Sequence, residues 1–257
     1  MTYSIAARDP ETGFYGVAVA SRFFAVGALV PHIRPGRAAV ATQAFVNPIW
    51  GLEAADRLDA GEAVADVVAD LVRRDGGQAQ RQLHAVDSQG ASAAHTGADC
   101  VPWCGHLTRD GVSVAGNMLA GETVIADTLA AYLAHADLPF AERLLTAMEA
   151  GEAAGGDKRG KQSAALRIHR SEAYPWLDLR ADDHADPLAE LRRLHDVAQE
   201  RFLHVAEIMP TAANFSGTTD RAPIDAAIAA EEARRAEAGL TSRSYATPLA
   251  PEPPADR

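Results

Sequence analysis

The 257-residue chain has little cysteine, few aromatic residues and no long apolar run. Cys100 and Cys104 are its two cysteines, too few for a disulfide framework. Their C-x3-C spacing, flanked by His95 and His106, is not the repeated C-x2-C of a zinc knuckle. The pair reads first as a buried, reduced Cys100 in a turn. No stretch approaches the ~20 apolar residues of a membrane span. Arg8, Asp9 and Glu11 fall where a signal peptide would be apolar, so a cytoplasmic protein with no membrane partner is expected. Basic runs are pairs such as Arg73-Arg74 and the formal net charge is -11, which argues against a nucleic-acid partner. No G-x-G-x-x-G follows a strand, no G-x-S-x-G surrounds a serine and no H-E-x-x-H is present. Asp182, Asp183 and His184 offer cation ligands but read more simply as a solvated acidic loop. No cofactor and no metal are expected.

What is present is a layered alternation of elements. Thr2 to Asp9 is strand-like, with Tyr3, Ile5 and Ala7 on one face and Thr2, Ser4, Ala6 and Arg8 on the other, so one face is expected to be buried while the other carries hydroxyls and a charge. The turn Asp9-Pro10-Glu11-Thr12-Gly13 leads into a second strand, Phe14 to Ser21. A connector from Arg22 to Arg37 precedes a third strand, Ala38 to Phe45, which "NPIWG" breaks. Apolar residues from Leu52 to Asp75 recur at helical spacing, divided by Gly61 and ended by Gly76-Gly77. Short strands follow in "QLHAVD", "ASAAHTG" and "GVSVAGNML", then helices over Glu122 to Ala136 and Phe140 to Ala150, then strands in "SAALRIHR" and "WLDLRADD". Asp186 to Phe202 is a further helix opened by Asp186-Pro187. Hairpins with helices arriving in pairs predict an α+β layered sandwich, not a parallel sheet. The apolar helices also make a homodimer one expectation. We place one domain over 1–205 and a C-terminal extension over 206–257, with a helix from Pro223 to Ala238 and a disordered Pro-rich end, "ATPLAPEPPADR".

Candidate chemistry falls in three places. Thr2 would, once Met1 is removed, carry a free α-amine able to act as base for its own hydroxyl, since such an amine has an ordinary pKa of about 7.7 to 8. Many chains begin Met-Thr without any such role. The segment "GGDKRGKQSAAL" holds Asp157, Arg159, Gln162 and Ser163 between glycines, which suits substrate orientation or a solvated turn alike. Asn47 and Asn117, at strand ends, are each either an oxyanion donor or a turn-forming cap. Gln43, an amide in a small apolar strand, needs polar partners and points to a polar cavity. His84 and His169 alternate with apolar neighbours and read as exposed-face residues.

Taken in order, "MTYSIAARDPETGFYGVAVAS", "VGALVPHIRPG", "AVATQAFVNPIWG", "AGNMLAG", "AAGGDKRGKQSAAL" and "DLRADDHADPLAELRRL" resemble the bacterial domain of unknown function 1028 family, grouped with the N-terminal-nucleophile hydrolases. The resemblance spans roughly Thr2 to Leu194. It implies a four-layer αββα sandwich of two antiparallel sheets between helical layers, and hydrolysis of the C–N bond of a small polar amide, ureide or lactam-like substrate. Thr2 would be the nucleophile. Proteasome-type relatives carry a lysine on the third strand where this chain has Gln43, and a neutral amide cannot depress the amine's pKa as a cation would. Arg34 or Arg37 is the candidate replacement. The alternative is a catalytically silent scaffold that binds a small metabolite or a partner protein in the same pocket.

Overall fold

The computed structural model describes residues 2–246. The Pro-rich end expected to be disordered lies, from 247 onwards, outside the described residues. The chain opens with a hairpin of β1 (Thr2–Arg8) and β2 (Tyr15–Ser21). Its turn closes where the Gly13 N–H donates to the Asp9 carbonyl at 2.9 Å, with Gly13 at φ +73, the left-handed region that favours glycine. A 3-10 turn (Val26–Ala28) leads to β3 (Pro31–Arg34) and β4 (Ala38–Ala44), then α1 (Pro48–Asp59) and α2 (Val64–Arg74). Next come β5 (Arg81–Val86), β6 (Ser92–Thr96), β7 (Gly105–Arg109) and β8 (Val112–Asn117), followed by α3 (Thr123–Ala134) and α4 (Phe140–Ala153). The order ends with β9 (Ser163–His169), β10 (Leu177–Ala181), α5 (Pro187–Glu200), α6 (Phe202–Ala206) and α7 (Ala222–Glu237).

Two antiparallel sheets result, a six-stranded one ordered β10-β9-β2-β1-β8-β7 and a four-stranded one ordered β3-β4-β5-β6. Three separate apolar cores mark the seams between four layers. Tyr3 and Ile5 of β1 pack with Leu144 and Met148 of α4 on the outer face of the larger sheet. Val40 and Leu83 pack with Trp50 and Val67 of α1 and α2 on the outer face of the smaller one. Between the sheets, Ala6, Val17 and Val19 meet Ile33, Ala39 and Ala41. This is the αββα sandwich, and each strand's period-2 alternation sends one set of side chains to helices and the other to the opposing sheet.

That arrangement corrects the reading of β1. Its Thr2, Ser4 and Ala6 face is not a solvent face: all three are buried in the inter-sheet seam. The same correction applies to His84 and His169, both buried. β3 and β7, short strands at or near sheet edges, were absent from the sequence expectation. "NPIWG" does not merely break a strand: Asn47 caps α1, its Oδ1 accepting from the Ile49 N–H at 3.1 Å with Pro48 in the first turn. The helix therefore starts four residues before Leu52. At the other end, α7 is tied to α5 through Arg235, whose guanidinium meets Asp196 at 2.9 Å and Glu200 at 3.5 Å.

Candidate functional site

β1 is an interior strand, and its first residue sits between two polar neighbours: Thr2 pairs with Ser21 of β2 on one side and with Asn117 of β8 on the other. Thr2 is 6% exposed and its Oγ1 lies 3.1 Å from Ser21 Oγ. The face it shares with Ser4 opens onto the end of the inter-sheet seam where β4 contributes Gln43 and β5 contributes Gln82. Tyr3, on the opposite face, anchors this end of the strand, its hydroxyl donating to the Met148 carbonyl at 2.9 Å.

The buried amides there form one network whose orientations follow from its fixed ends. Gln82 Nε2 donates to the carbonyl oxygens of Gly116 (2.7 Å) and Gly105 (3.3 Å) and to Thr96 Oγ1 (3.0 Å). Carbonyls only accept, so Gln82 Oε1 must point the other way, where it accepts from Asn117 Nδ2 (2.8 Å) and Gln43 Nε2 (3.1 Å). Both of those amide nitrogens also reach the Thr2 carbonyl oxygen, at a long 3.5 Å each. Gln43 Oε1 is then left to accept from Ser4 Oγ at 2.6 Å. With its single proton committed, Ser4 Oγ accepts from His84 Nε2 at 2.8 Å, which makes His84 the Nε2–H tautomer. Neither its Nδ1 nor Ser113 Oγ makes a hydrogen bond of ordinary geometry among the described residues, the Ser113 backbone acting only weakly on the ring. Burial, with a smaller contribution from the charge of His106, pushes the His84 pKa down to about 3, so the imidazole is neutral.

The glycine-flanked segment is anchored to the same end. Asp157 is buried and accepts from the backbone N–H of Arg22 (2.8 Å) and of Arg159 (2.9 Å), while the Arg159 guanidinium bonds to its carboxylate at 3.3 Å and to the Arg22 carbonyl at 3.1 Å. Arg22 directly follows Ser21, so Asp157 fixes the exit of β2 beside Thr2. Gln162 bonds Ser21 through its backbone, N–H to carbonyl at 3.0 Å, while its side chain turns to Asp183. Ser163 Oγ donates to the Phe23 carbonyl and accepts from the Val26 N–H at 3.1 Å, pinning the 3-10 turn.

Three expected members stand elsewhere. Arg34 pairs with Asp56 of α1 and faces Ala38, at the opposite end of β4 from Gln43; five residues of strand, roughly 17 Å, separate those positions. Arg37 lies at that same far end, 3.9 Å from Asp59. Neither is placed to act on a Thr2 amine. Asn47 spends its amide on capping α1 and on Asp75 Oδ2 (3.2 Å), with no hydrogen bond to Thr2 among the described residues. Ser21, Gln82 and His84 were not singled out from sequence as site members. For Gln82 and His84 the signal was a polar residue at every second position of β5, a strand that otherwise reads as apolar.

Two clefts flank this end. A small one of about 50 Å³ is lined by Thr2, Gln43 and apolar residues including Val26, Leu29 and Val46. A larger one of about 370 Å³ is lined by Asn117, Met118, Phe45, Asp99, Cys100 and Val101, among others. Ala44 belongs to both. Three non-glycine residues with left-handed backbone, Ala25 (φ 51), Ala44 (φ 69) and Met118 (φ 54), are those found among the described residues, and all three border these clefts or the turn that walls them. Such conformations cost of order 1 to 3 kcal/mol each and concentrate at functional sites. A larger concavity, about 690 Å³, lies instead beside Arg8, Tyr132 and Arg143 at the far end of β1. Its Arg143 is engaged with the Tyr132 carbonyl at 2.7 Å and carries none of the buried polar network. Cys100 and Cys104 are free thiols, and burial pushes the Cys100 pKa up to about 11, with Cys104 adding to it. No group of three His, Cys, Asp or Glu among the described residues is arranged to hold a metal, and no helix among them is long and apolar enough to cross a membrane.

No curated protein matches the chain. Among solved structures, protein SPO2555 from Silicibacter pomeroyi, described as a DUF1028 protein, is 33% identical, with a TM-score of 0.79 over 85% of this chain and 99% of that one. The Anbu (ancestral beta-subunit) protein from Yersinia bercovieri is similar at 14% identity and a TM-score of 0.34, over 81% of this chain and 98% of that one. The family described as "Family of unknown function (DUF1028)" matches residues 2–191. By that match and by its likeness to SPO2555, the chain belongs to the DUF1028 family.

Proposed function

We propose that the protein is an N-terminal-nucleophile amidohydrolase that cleaves the C–N bond of a small amide, ureide or lactam-like substrate, with Thr2 as nucleophile. The observation that carries this reading is the position of the Thr2 side chain. Thr2 heads an interior strand and lines a cleft, its Oγ1 lies beside Ser21 Oγ, and its carbonyl is approached by a buried amide network that has no evident purpose in core packing. The reading requires the Met1–Thr2 bond to be cut. Thr2 Oγ1 then attacks the carbonyl carbon, its proton passing to the Thr2 α-amine and from there to the departing nitrogen. The resulting ester is hydrolysed by water, with the same amine as base. Asn117 supplies the oxyanion donor by turning one N–H away from the Thr2 carbonyl, a 3.5 Å contact weaker than its bond to Gln82.

Intact mass and N-terminal peptide analysis test the first requirement: the mature chain should begin at Thr2, and quantitative retention of Met1 defeats the mechanism. Thr2→Ala should abolish turnover while Thr2→Ser keeps part of it; equal turnover in Thr2→Ala moves the nucleophile elsewhere. One observation favours a second reading, a silent scaffold that binds a metabolite in the same cleft. The cleft lined by Thr2 contains no lysine or arginine to favour the free amine. Binding without any Thr2 adduct would support that alternative.

A further inference from the structure

The two clefts on either side of Ala44 differ in size and chemistry, and that difference specifies which part of a substrate enters which. We infer that the site takes the amide of a short, uncharged aliphatic acid, with the acyl chain in the small cleft and the amine in the larger one. This rests on the proposal that Thr2 is the nucleophile. The acyl group stays on Thr2 through both half-reactions, whereas the amine must leave after the first, so the confined cleft that Thr2 itself lines is the acyl subsite. The wider cleft, lined by Asn117, is the exit.

Three features limit the acyl group. The first is volume: about 50 Å³, against the ~150 Å³ of a cavity that holds benzene, leaves room for only a few non-hydrogen atoms. The second is polarity. Thr2 and Gln43 are the polar residues of the lining, and the Gln43 amide is committed to Ser4, Gln82 and the Thr2 carbonyl. Apart from the Thr2 amine and hydroxyl, which the reaction itself occupies, the lining side chains offer a carboxylate neither a cation nor an uncommitted donor to replace its lost hydration, so anionic acyl groups are disfavoured. The third is fixity of the wall formed by Val26, Leu29 and Val30. Val26 N–H is held by Ser163 of β9 at 3.1 Å, the Ala25 N–H by the Asp182 carbonyl at 2.9 Å, and the Val30 carbonyl by the Thr42 N–H of β4 at 3.2 Å. Gly27 packs so closely on Ala165 that no side chain fits between them. Ties to both sheets keep the wall from retreating before a larger group.

The wider cleft has one charged residue, the exposed Asp99, and room for a group several times larger. It suits a neutral or cationic amine.

A series of anilides with one amine and varied acids tests the assignment: acetyl, propionyl, hexanoyl, benzoyl and succinyl derivatives of 7-amino-4-methylcoumarin. Full-length protein shown by intact mass to begin at Thr2 is assayed for coumarin release and for acyl adducts on the Thr2 peptide. Acetyl and propionyl should acylate Thr2 at least about tenfold faster than benzoyl and succinyl, the size of effect that one or two surplus groups cause in a closed apolar pocket. Leu29→Ala, which opens the wall, should raise the hexanoyl-to-acetyl ratio by about tenfold. Adducts on Thr2 formed as fast from succinyl or benzoyl as from acetyl overturn the subsite assignment and leave the nucleophile standing. No Thr2 adduct from any member overturns the nucleophile and the subsite together. The wild-type series decides the question even if Leu29→Ala fails to fold.

Discussion

Lowering the pH from 7 to 5 should destabilise this protein well before its carboxylates begin to titrate, and His84 should account for about 2 kcal/mol of the loss. The imidazole is fully buried, donates from Nε2 to Ser4, and has a pKa of about 3 in the folded chain against 6.5 for the free side chain. The unfolded chain therefore binds a proton at His84 below pH 6.5 that the folded chain refuses, and stability falls as the pH falls. The decline runs at about 1.4 kcal/mol per pH unit, reaching roughly 2 kcal/mol at pH 5 and about 4 kcal/mol near pH 3, where the folded imidazole begins to take up its proton. His32, His106, His169 and His195 are also lowered by burial and act in the same direction. Asp196 and Glu190, held low by hydrogen bonds from Arg235 and Arg193, lose their contribution only at more acidic pH. His84→Gln isolates the one residue, because a glutamine amide still donates to Ser4 and does not titrate. Urea unfolding of both proteins at pH 7, 6 and 5 is the assay. The wild type should lose about 2 kcal/mol more than His84→Gln between pH 7 and 5. Parallel profiles, differing by less than about 0.5 kcal/mol, would refute a neutral, inaccessible His84.

Other substitutions probe neighbouring parts of the structure. Gln82→Leu leaves the Gly116 carbonyl and an N–H each of Gln43 and Asn117 buried without their shared partner, so unfolding free energy should drop by about 3 kcal/mol or more in urea titrations. A drop under about 1 kcal/mol would mean that water replaces the amide and that the orientations derived above are not enforced. Arg235→Ala removes a nearly buried cation facing Asp196 and Glu200 and should free α7 from α5. Limited proteolysis should then cut between α6 and α7 more readily, with little change in the unfolding midpoint of the sandwich. A matching fall in that midpoint would show that residues beyond 206 belong to the same cooperative unit.

Much of the fold was legible because the local signals agree with it. The hairpin turn at Asp9–Gly13, the helical spacing of Val64, Val67, Val68 and Leu71, and the Asp186-Pro187 start of α5 each specify their element from a few residues. Alternation along β1 separated its two faces correctly. It could not tell water from a second sheet as the cover of the polar face, which is why Ser4 and His84 were unread as interior residues. β3 and β7 escaped because four or five residues with Pro31 or Gly105 in them carry little periodic signal. Gln43 was legible as a residue needing partners, but those partners, Ser4 and Gln82, lie 39 residues away in either direction. Asn47 carried a signal of turn and of catalyst equally, and the Pro48 that follows it marks the helix cap it became.

The interior position of β1 also sets a timetable. Thr2 pairs with Ser21, nineteen residues on, but its partner on the other flank, Asn117, is made more than a hundred residues later. Gln82, which orients Asn117 and Gln43, belongs to the opposite sheet, so the surroundings of Thr2 exist only once both sheets have formed and closed face to face. The setting of Thr2 is thereby completed late, by the distance along the chain to the residues that surround it.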